Sequence, residues 1–141
     1  MAKMGQVILI EDDADDEEIF REVLKDLQIT NDIICFRNTK DALRHMMAST
    51  EPPFIIFSDI NLPGQSGLDF KRKIDADPEL RKKSIPFIVY STSVNQAEVV
   101  EAYTQMTIQG FFQKAATIDE MKADIKLIFD YWQKCRHPNC L

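Results

Sequence analysis

Short apolar runs alternate with amphipathic stretches along most of the 141-residue chain. Each run has the length of a strand and ends at polar or turn-forming residues, which is typical of a strand buried on both faces of a sheet. The pattern predicts five strands, at residues 7–10, 33–36, 54–58, 86–91 and 110–114.

The stretches between these strands repeat apolar residues three and four positions apart, as helices with one buried face do. They predict five helices, of which the first spans Asp15 to Gln28 and the third spans Leu68 to Ala76. The residues expected on the buried faces are Phe20, Val23, Leu24 and Leu27 in the first helix, Ala42, Leu43, Met46 and Met47 in the second, Phe70 and Ile74 in the third, Val99, Ala102, Tyr103 and Met106 in the fourth, and Ile118, Met121, Ile125, Ile128 and Trp132 in the fifth.

Local signals mark where several helices begin and end. Asn38 is the predicted N-cap of the second helix, and the Asp77–Pro78 pair is expected to terminate the third. The segments 93–96 (Ser-x-x-Gln) and 117–120 (Thr-x-x-Glu) match the capping box and should open the fourth and fifth helices.

Strands that alternate with helices predict an α/β fold, because parallel neighbours need a crossover connection and that crossover is nearly always right-handed. We expect a doubly wound, flavodoxin-like, five-stranded parallel sheet in the order 2-1-3-4-5, with helices on both faces. One domain should cover residues 1–141, with its core at about 6–129 and a helix extension and tail at 130–141.

Composition excludes several classes of function. The 17 Lys and Arg residues against 23 Asp and Glu residues give a net charge of -6, which would repel a nucleic acid backbone. The apolar runs are too short to span a membrane, and the N-terminal sequence lacks the apolar core of a signal peptide. We therefore expect a cytoplasmic protein with no nucleic-acid or membrane partner and with its three cysteines reduced.

Acidic residues follow the first and third predicted strands at the point where each strand ends. In the expected strand order these two strands are neighbours, so Glu11, Asp12 and Asp59 should meet at the switch point of the sheet, where ligands bind. Carboxylates packed together repel one another unless a cation joins them. Oxygen ligands of this kind suit a hard divalent ion, so the sequence predicts a magnesium site.

Two further strand ends carry a hydroxyl and an ammonium group, at Ser91 and Lys114. Together with Asp59 as nucleophile and a magnesium ion, they supply what the acceptance of a phosphoryl group requires: an attacking oxygen, and positive charge around the oxygens of the transferred group. Asp59, which ends the strongest apolar run, is the candidate reactive residue.

In this combination and order, the residues resemble the receiver domains of two-component response regulators, over about 7–129. The resemblance implies that Asp59 is the phosphoacceptor and that Asp12 binds magnesium directly. It also implies that Glu11 acts on the metal largely through water, while Asn61 offers its backbone carbonyl. Within the family, the chain looks most like the stand-alone regulators that serve phytochrome-like and other sensor kinases.

By the same resemblance, Ser91 is the switch hydroxyl, Lys114 is the lysine typical of the family, and Phe111 is the aromatic residue that swings inward on activation. Two neighbours depart from the family pattern. Ala115 follows Lys114 where the family usually has a proline in a cis peptide, and Thr92 follows Ser91 where the family usually has a smaller residue.

The resulting prediction is a signalling module rather than an enzyme with turnover. It would take its phosphoryl group from a sensor histidine kinase or a phosphotransfer protein. The surface of the fourth helix, fifth strand and fifth helix would then change, because the phosphoryl oxygens draw Ser91 inward and vacate space for Phe111. Aromatic residues at 129–132 suggest that this surface meets an unknown downstream protein or a second copy in a homodimer.

Other interpretations stay open from the sequence. One alternative is an aspartate-nucleophile phosphohydrolase on a related α/β sheet, but such enzymes typically carry a second aspartate two residues after the nucleophile, where Asn61 stands. Another alternative is an interaction module that has lost phosphorylation. Asp16 and its acidic neighbours in the first helix are interpreted as solvated acids. The residues Cys135, His137 and Cys140 can ligate zinc, although a tail that frays does not favour such a site.

Overall fold

The computed structural model describes residues 2–92 and 95–139 and contains one five-stranded parallel sheet in the order β2-β1-β3-β4-β5. This confirms the predicted flavodoxin-like α/β fold and its strand order. In the described part of the chain, the strands are β1 (Val7–Ile10), β2 (Ile33–Phe36), β3 (Ile55–Ser58), β4 (Phe87–Ser91) and β5 (Gly110–Gln113).

Six α-helices connect and follow these strands in the described residues, one more than the sequence predicted. The extra helix is α4, whose N-cap Asp77 accepts hydrogen bonds from two backbone amides and whose first residue is Pro78. An Asp-Pro pair ends one helix and also suits the start of the next, because proline at the first position sacrifices no backbone hydrogen bond. The helices are α1 (Ala14–Asp26), α2 (Thr39–Ala48), α3 (Gly67–Asp75), α4 (Pro78–Lys83), α5 (Gln96–Gln105) and α6 (Ile118–Lys134).

The buried residues form two clusters, one on each face of the sheet. Neighbouring strand residues point to opposite faces, so Ile56 belongs to the cluster under α2, α3, α4 and α5, whereas Phe57 belongs to the cluster under α1 and α6. Burial on both faces explains why the central strands are continuous apolar runs. With helices packed on both faces, the paired strands keep a fixed register, and Ile10 at the end of β1 lies opposite Ser58 at the end of β3.

Most predicted helix faces are buried, and three predicted residues in the first or last turn of a helix are not. Met47 is 65 % exposed in the last turn of α2, Tyr103 is 52 % exposed in the last turn of α5, and Ile118 is 54 % exposed at the start of α6. The N-cap of α5 is Asn95, which accepts a hydrogen bond from the Ala97 amide. The capping box predicted to begin at Ser93 lies outside the described residues.

The segment after α6 docks against the sheet instead of fraying, as far as Asn139. His137 is buried, and its Nε2 donates to the backbone oxygen of Phe54 at 2.7 Å, while its Nδ1 accepts from the Asn139 amide at 3.1 Å. Both ring nitrogens are occupied, so His137 is not available to bind zinc. Cys140 lies outside the described residues. None of the described helices combines the length and the apolar character needed to cross a membrane.

Candidate active site

The predicted reactive residues gather at the carboxyl edge of the sheet, where β1 and β3 lie side by side. The Asp59 amide donates to the Ile10 oxygen at 3.0 Å, which extends the pairing of the two strands one residue beyond β3. Glu11 is held in the same way on the other side, because its amide donates to the Phe36 oxygen at 2.9 Å. Backbone pairing therefore fixes both carboxylates at the switch point of the strand order.

Asp59 is 8 % exposed, and its carboxylate accepts three hydrogen bonds. Oδ1 accepts from the Ser91 hydroxyl at 2.8 Å and from the Asn61 amide at 3.1 Å, while Oδ2 accepts from Lys114 Nζ at 3.1 Å. Burial alone would raise the pKa of Asp59, but these donors and the charge of Lys114 outweigh it and hold the pKa below its usual range. Asp59 is therefore an anion at neutral pH.

Lys114 joins the carboxylates of the site. Its ammonium group donates to Glu11 Oε1, to Asp16 Oδ2 at 2.9 Å and to Asp59 Oδ2. Burial would lower the pKa of Lys114, but the hydrogen bonds and charges of these acids raise it above its usual value. The backbone amide of Lys114 also donates to the Ser91 oxygen at 2.8 Å, which ties the ends of β4 and β5 together.

Loop geometry after Lys114 does not depend on a cis peptide. In the described residues the cis peptide bond is at Ile85–Pro86, and the bond from Lys114 to Ala115 is trans. The ammonium group nevertheless reaches Asp59, so alanine at this position still permits the contact that the site needs.

The acidic pair after β1 has two different environments. Glu11 is buried, and one of its oxygens, Oε2, has no hydrogen-bond partner in the described part of the chain. Burial raises the pKa of Glu11, although the neighbouring Lys114 opposes the shift. Asp12 is exposed, and its backbone oxygen accepts from Arg37 at 3.3 Å.

The described residues contain no group of three or more His, Cys, Asp or Glu side chains already arranged around a metal position. The ammonium group of Lys114 lies among Glu11, Asp16 and Asp59 instead and neutralises part of their charge. The donor chemistry still suits magnesium, because the available ligands are carboxylate and carbonyl oxygens and one buried oxygen of Glu11 is unpaired. The chemistry of these residues therefore fits a metal, although their side chains are not already arranged around a metal position.

Two residues of the site escaped sequence analysis. Asp16 was interpreted as a solvated acid, yet it pairs with Lys114. Gly67 begins α3, and a Cβ atom on it would overlap the backbone oxygen of Asp59. The sequence does not predict this role for Gly67, because the close approach of the α3 start to the Asp59 backbone leaves no local signature.

The two switch candidates belong to adjacent strands: Ser91 is the last residue of β4, and Phe111 lies in β5. Ser91 is buried and already hydrogen-bonded to Asp59. Phe111 is half-buried against the cluster under α5, and its amide donates to the Tyr103 hydroxyl at 2.9 Å. Phe111 is opposite Val89 and Ser91 is opposite Gln113, so the two candidates are connected through the pairing of β4 with β5.

Residues 7–126 match the family model described as the response regulator receiver domain. The response regulator Rcp1 of Synechocystis sp. is 26% identical over 131 residues, which cover 89% of this chain and 87% of that protein.

Solved structures with the same fold include a phosphorylated cyanobacterial phytochrome response regulator, RcpA. It is 25% identical, has a TM-score of 0.81, and the match covers 92% of this chain and 94% of that one. The Mn(2+)-bound form of response regulator Rcp1 is also 25% identical, with a TM-score of 0.79 and coverage of 93% of this chain and 96% of that one.

Proposed function

The chain belongs to the response regulator receiver domain family, and on this premise we propose that it takes a phosphoryl group from a sensor histidine kinase or a phosphotransfer protein onto Asp59. The observation that carries the proposal is the setting of Asp59, an ionised carboxylate held between a hydroxyl and an ammonium group at the switch point of the sheet. Parallel sheets bind their ligands at this edge.

In the proposed step an oxygen of Asp59 attacks the phosphorus of a phosphohistidine. A phosphorus–oxygen bond forms, the phosphorus–nitrogen bond breaks, and its electron pair returns to the imidazole of the donor. Lys114, which already bonds Oδ2, stabilises the negative charge on the transferred group.

Magnesium belongs to the same proposal. Asp12, Asp59 and the backbone carbonyl of Asn61 would hold the ion, and the unpaired oxygen of Glu11 would accept from a water on it. When bound, magnesium supplies positive charge that the oxygens of the transferred group need. A relative of this chain binds Mn(2+), as the structure of the Mn(2+)-bound form of Rcp1 records.

The output surface in this proposal consists of α5, β5 and α6. Val100 and Tyr103 of α5 and Leu127 and Tyr131 of α6 are large apolar side chains exposed on these helices. A phosphoryl group on Asp59 would change the hydrogen bonding of Ser91, and the shared strand ends would pass the change to Phe111. The partner is a downstream protein or a second copy of the chain, and the exchange takes place in the cytoplasm.

The experiment that tests acceptance is phosphorylation with acetyl phosphate and magnesium, read by intact mass. Asp59→Asn should abolish the added mass, because an amide is a far poorer nucleophile than a carboxylate. Asp69→Asn, at an exposed aspartate of α3, is the matched control and should be labelled as the wild type is. Full labelling of Asp59→Asn would refute the assignment.

A further inference from the structure

The ammonium group of Lys114 is shared among three carboxylates, which come from three different parts of the chain. It donates to Glu11 Oε1 just after β1, to Asp16 Oδ2 in α1 at 2.9 Å and to Asp59 Oδ2 just after β3 at 3.1 Å. An ammonium group has three N–H bonds, so these contacts use its full donor capacity. The contact with Asp59, the proposed acceptor, is the longest of the three.

Asp16 differs from the other two partners of Lys114 in how it is held. Glu11 and Asp59 are buried, and backbone pairing fixes both at the edge of the sheet. Asp16 lies in the first turn of α1, and its side chain is 41 % exposed, whereas that of Lys114 is 13 % exposed. The Asp16 carboxylate therefore adds a negative charge to the site from the surface, and it competes with Asp59 for the ammonium group.

Acceptance of a phosphoryl group changes what Lys114 has to neutralise. The oxygens of the transferred group bring new negative charge to Asp59, and Lys114 is the one cationic partner that Asp59 has in the described part of the chain. A bond kept to Asp16 leaves less of the ammonium group for that charge, and the Asp16 carboxylate also repels it. Both effects oppose acceptance.

We propose that Asp16 restrains Lys114 and thereby slows phosphoryl acceptance at Asp59. Asp16 is a positioning residue in this role, because it acts through Lys114 and does not touch the transferred group. The inference rests on the proposed function and adds a regulating element to it, the first turn of α1. Loss of the Asp16 charge should therefore speed the reaction, although Asp16 belongs to the polar contacts of the site.

The first measurement is the rate of labelling by acetyl phosphate with magnesium, followed by intact mass. Asp16→Asn keeps an oxygen that can accept from Lys114 but removes the charge. Labelling should become about twofold to fivefold faster, which is the effect of one partly exposed charge pair.

Asp15→Asn is the matched control for Asp16→Asn. Asp15 is exposed in the same turn of α1, and its side chain pairs with no cation in the part of the chain that the structure describes. Both variants remove one acid from the start of a helix, so their effects on the helix dipole are similar. The labelling rate of Asp15→Asn should match that of the wild type.

A second donor separates restraint of Lys114 from repulsion of the donor itself. Phosphoramidate carries less negative charge than acetyl phosphate at neutral pH, so the Asp16 charge should repel it less. A restraint on Lys114 acts on the transferred group, which is the same for both donors. Asp16→Asn should therefore speed labelling by both donors by a similar factor. A gain with acetyl phosphate alone would overturn the proposal.

The ammonium group of Lys114 also gives a readout that needs no reaction. In metal-free protein, its proton–nitrogen NMR signal should shift in Asp16→Asn, because one of its three acceptors changes from a carboxylate to an amide. The signal should keep its position in Asp15→Asn. An unshifted signal in Asp16→Asn would show that Asp16 does not hold Lys114.

The labelling rates give the remaining outcomes. An unchanged or lower rate in Asp16→Asn would contradict the restraint, and an equal gain in Asp15→Asn would show that any acid of this turn has the same effect. A wild-type protein that takes no label would instead refute phosphoryl acceptance at Asp59. Failure of the proposed function and failure of this inference can therefore be told apart.

Discussion

Asp59 remains ionised because donors from three separate segments reach it. Ser91 ends β4, Lys114 follows β5, and the Asn61 amide lies two residues further along the chain. The position of each donor could be predicted from the sequence, since each is among the first polar groups after a buried apolar run. The sequence also suggested crowded carboxylates, but Lys114 lies among them and relieves part of that repulsion.

Gly67 gives a first prediction at the scale of single residues. Gly67→Ala should lower the free energy of unfolding by about 1 to 3 kcal/mol, because the new methyl group must displace the Asp59 backbone. The rate of labelling by acetyl phosphate should also fall, and by a larger factor than the lower fraction of folded protein accounts for. Both quantities can be measured, by urea unfolding and by intact mass at a temperature where the variant is folded.

Gly64→Ala is the matched control for Gly67→Ala. Gly64 has φ of +82° and open space around the position of a Cβ atom, so alanine there should cost stability through backbone strain alone. Its labelling rate should remain close to wild type. Equal slowing in both variants would show that the Gly67 contact does not position Asp59.

Among the elements, α3 and α4 are held by a buried polar network that the helix periodicity does not indicate. Lys71 is fully buried, donates to Ser84, and pairs with Asp75 at 2.8 Å. Asp75 also accepts from the amide and the hydroxyl of Thr107, at 2.7 and 2.8 Å. The network joins α3 to the segment before β5. A lysine in a helix is normally expected to be exposed. Lys71 is buried because α4 packs beside it, and the sequence did not predict α4.

The Lys71–Asp75 pair gives a second prediction. Asp75→Ala should lower the free energy of unfolding by about 3 to 5 kcal/mol, because it leaves the buried Lys71 ammonium without its countercharge. Asp69→Ala removes an exposed partner of Arg72 and should cost less than about 1 kcal/mol. Urea unfolding of both variants measures the difference, and equal losses would show that Lys71 does not depend on Asp75.

The docked tail gives a third prediction, for the pH dependence of stability. Burial lowers the pKa of His137 and the neighbouring Lys3 lowers it further, although the Phe54 oxygen opposes them. Because the folded-state pKa lies below the ordinary value of 6.5, the unfolded chain takes up a proton first as the pH falls. The contribution of His137 to stability should be complete above pH 6.5 and be lost as the pH falls through the lowered pKa.

Urea unfolding at about pH 7.5 and about pH 5 should therefore show a smaller pH difference for His137→Gln than for the wild type. Other acids of the chain also titrate in this range. The contribution of His137 is therefore measured as the difference between the pH dependence of the variant and that of the wild type. An identical pH difference in both proteins would contradict the role of His137.

For the whole molecule, the sequence was enough to predict the strand order, the two faces of the sheet and the edge at which the candidate residues gather. The reason is that buried parallel strands are uninterrupted apolar runs, and their order fixes which strand ends are neighbours. Contacts between distant segments were not predictable, as Asp16 with Lys114 and His137 with Phe54 illustrate. Such contacts depend on how helices and tail lie over the sheet, which local periodicity does not encode.

Phosphorylation-linked association is a fourth prediction and concerns the surface of α5, β5 and α6. A beryllofluoride mimic on Asp59 should increase the solution mass or create binding to a partner, and it should change amide exchange in β4 and β5. Tyr131→Lys should weaken association by placing a charge among exposed apolar side chains. Met47→Lys, on α2, is the matched control and should have no effect. Unchanged exchange in β4 and β5 would refute the switch.

The hydroxyl of Tyr103 has a consequence for solubility. Strand β5 lies at the edge of the sheet, and the Tyr103 hydroxyl occupies the amide of Phe111 there. An edge strand with unpaired amides is a template for strands of other molecules and hence for aggregation. The same tyrosine belongs to the surface proposed for the partner, so a protein that binds there and draws Tyr103 away would expose the edge it now protects. Recognition and resistance to aggregation would then depend on one side chain.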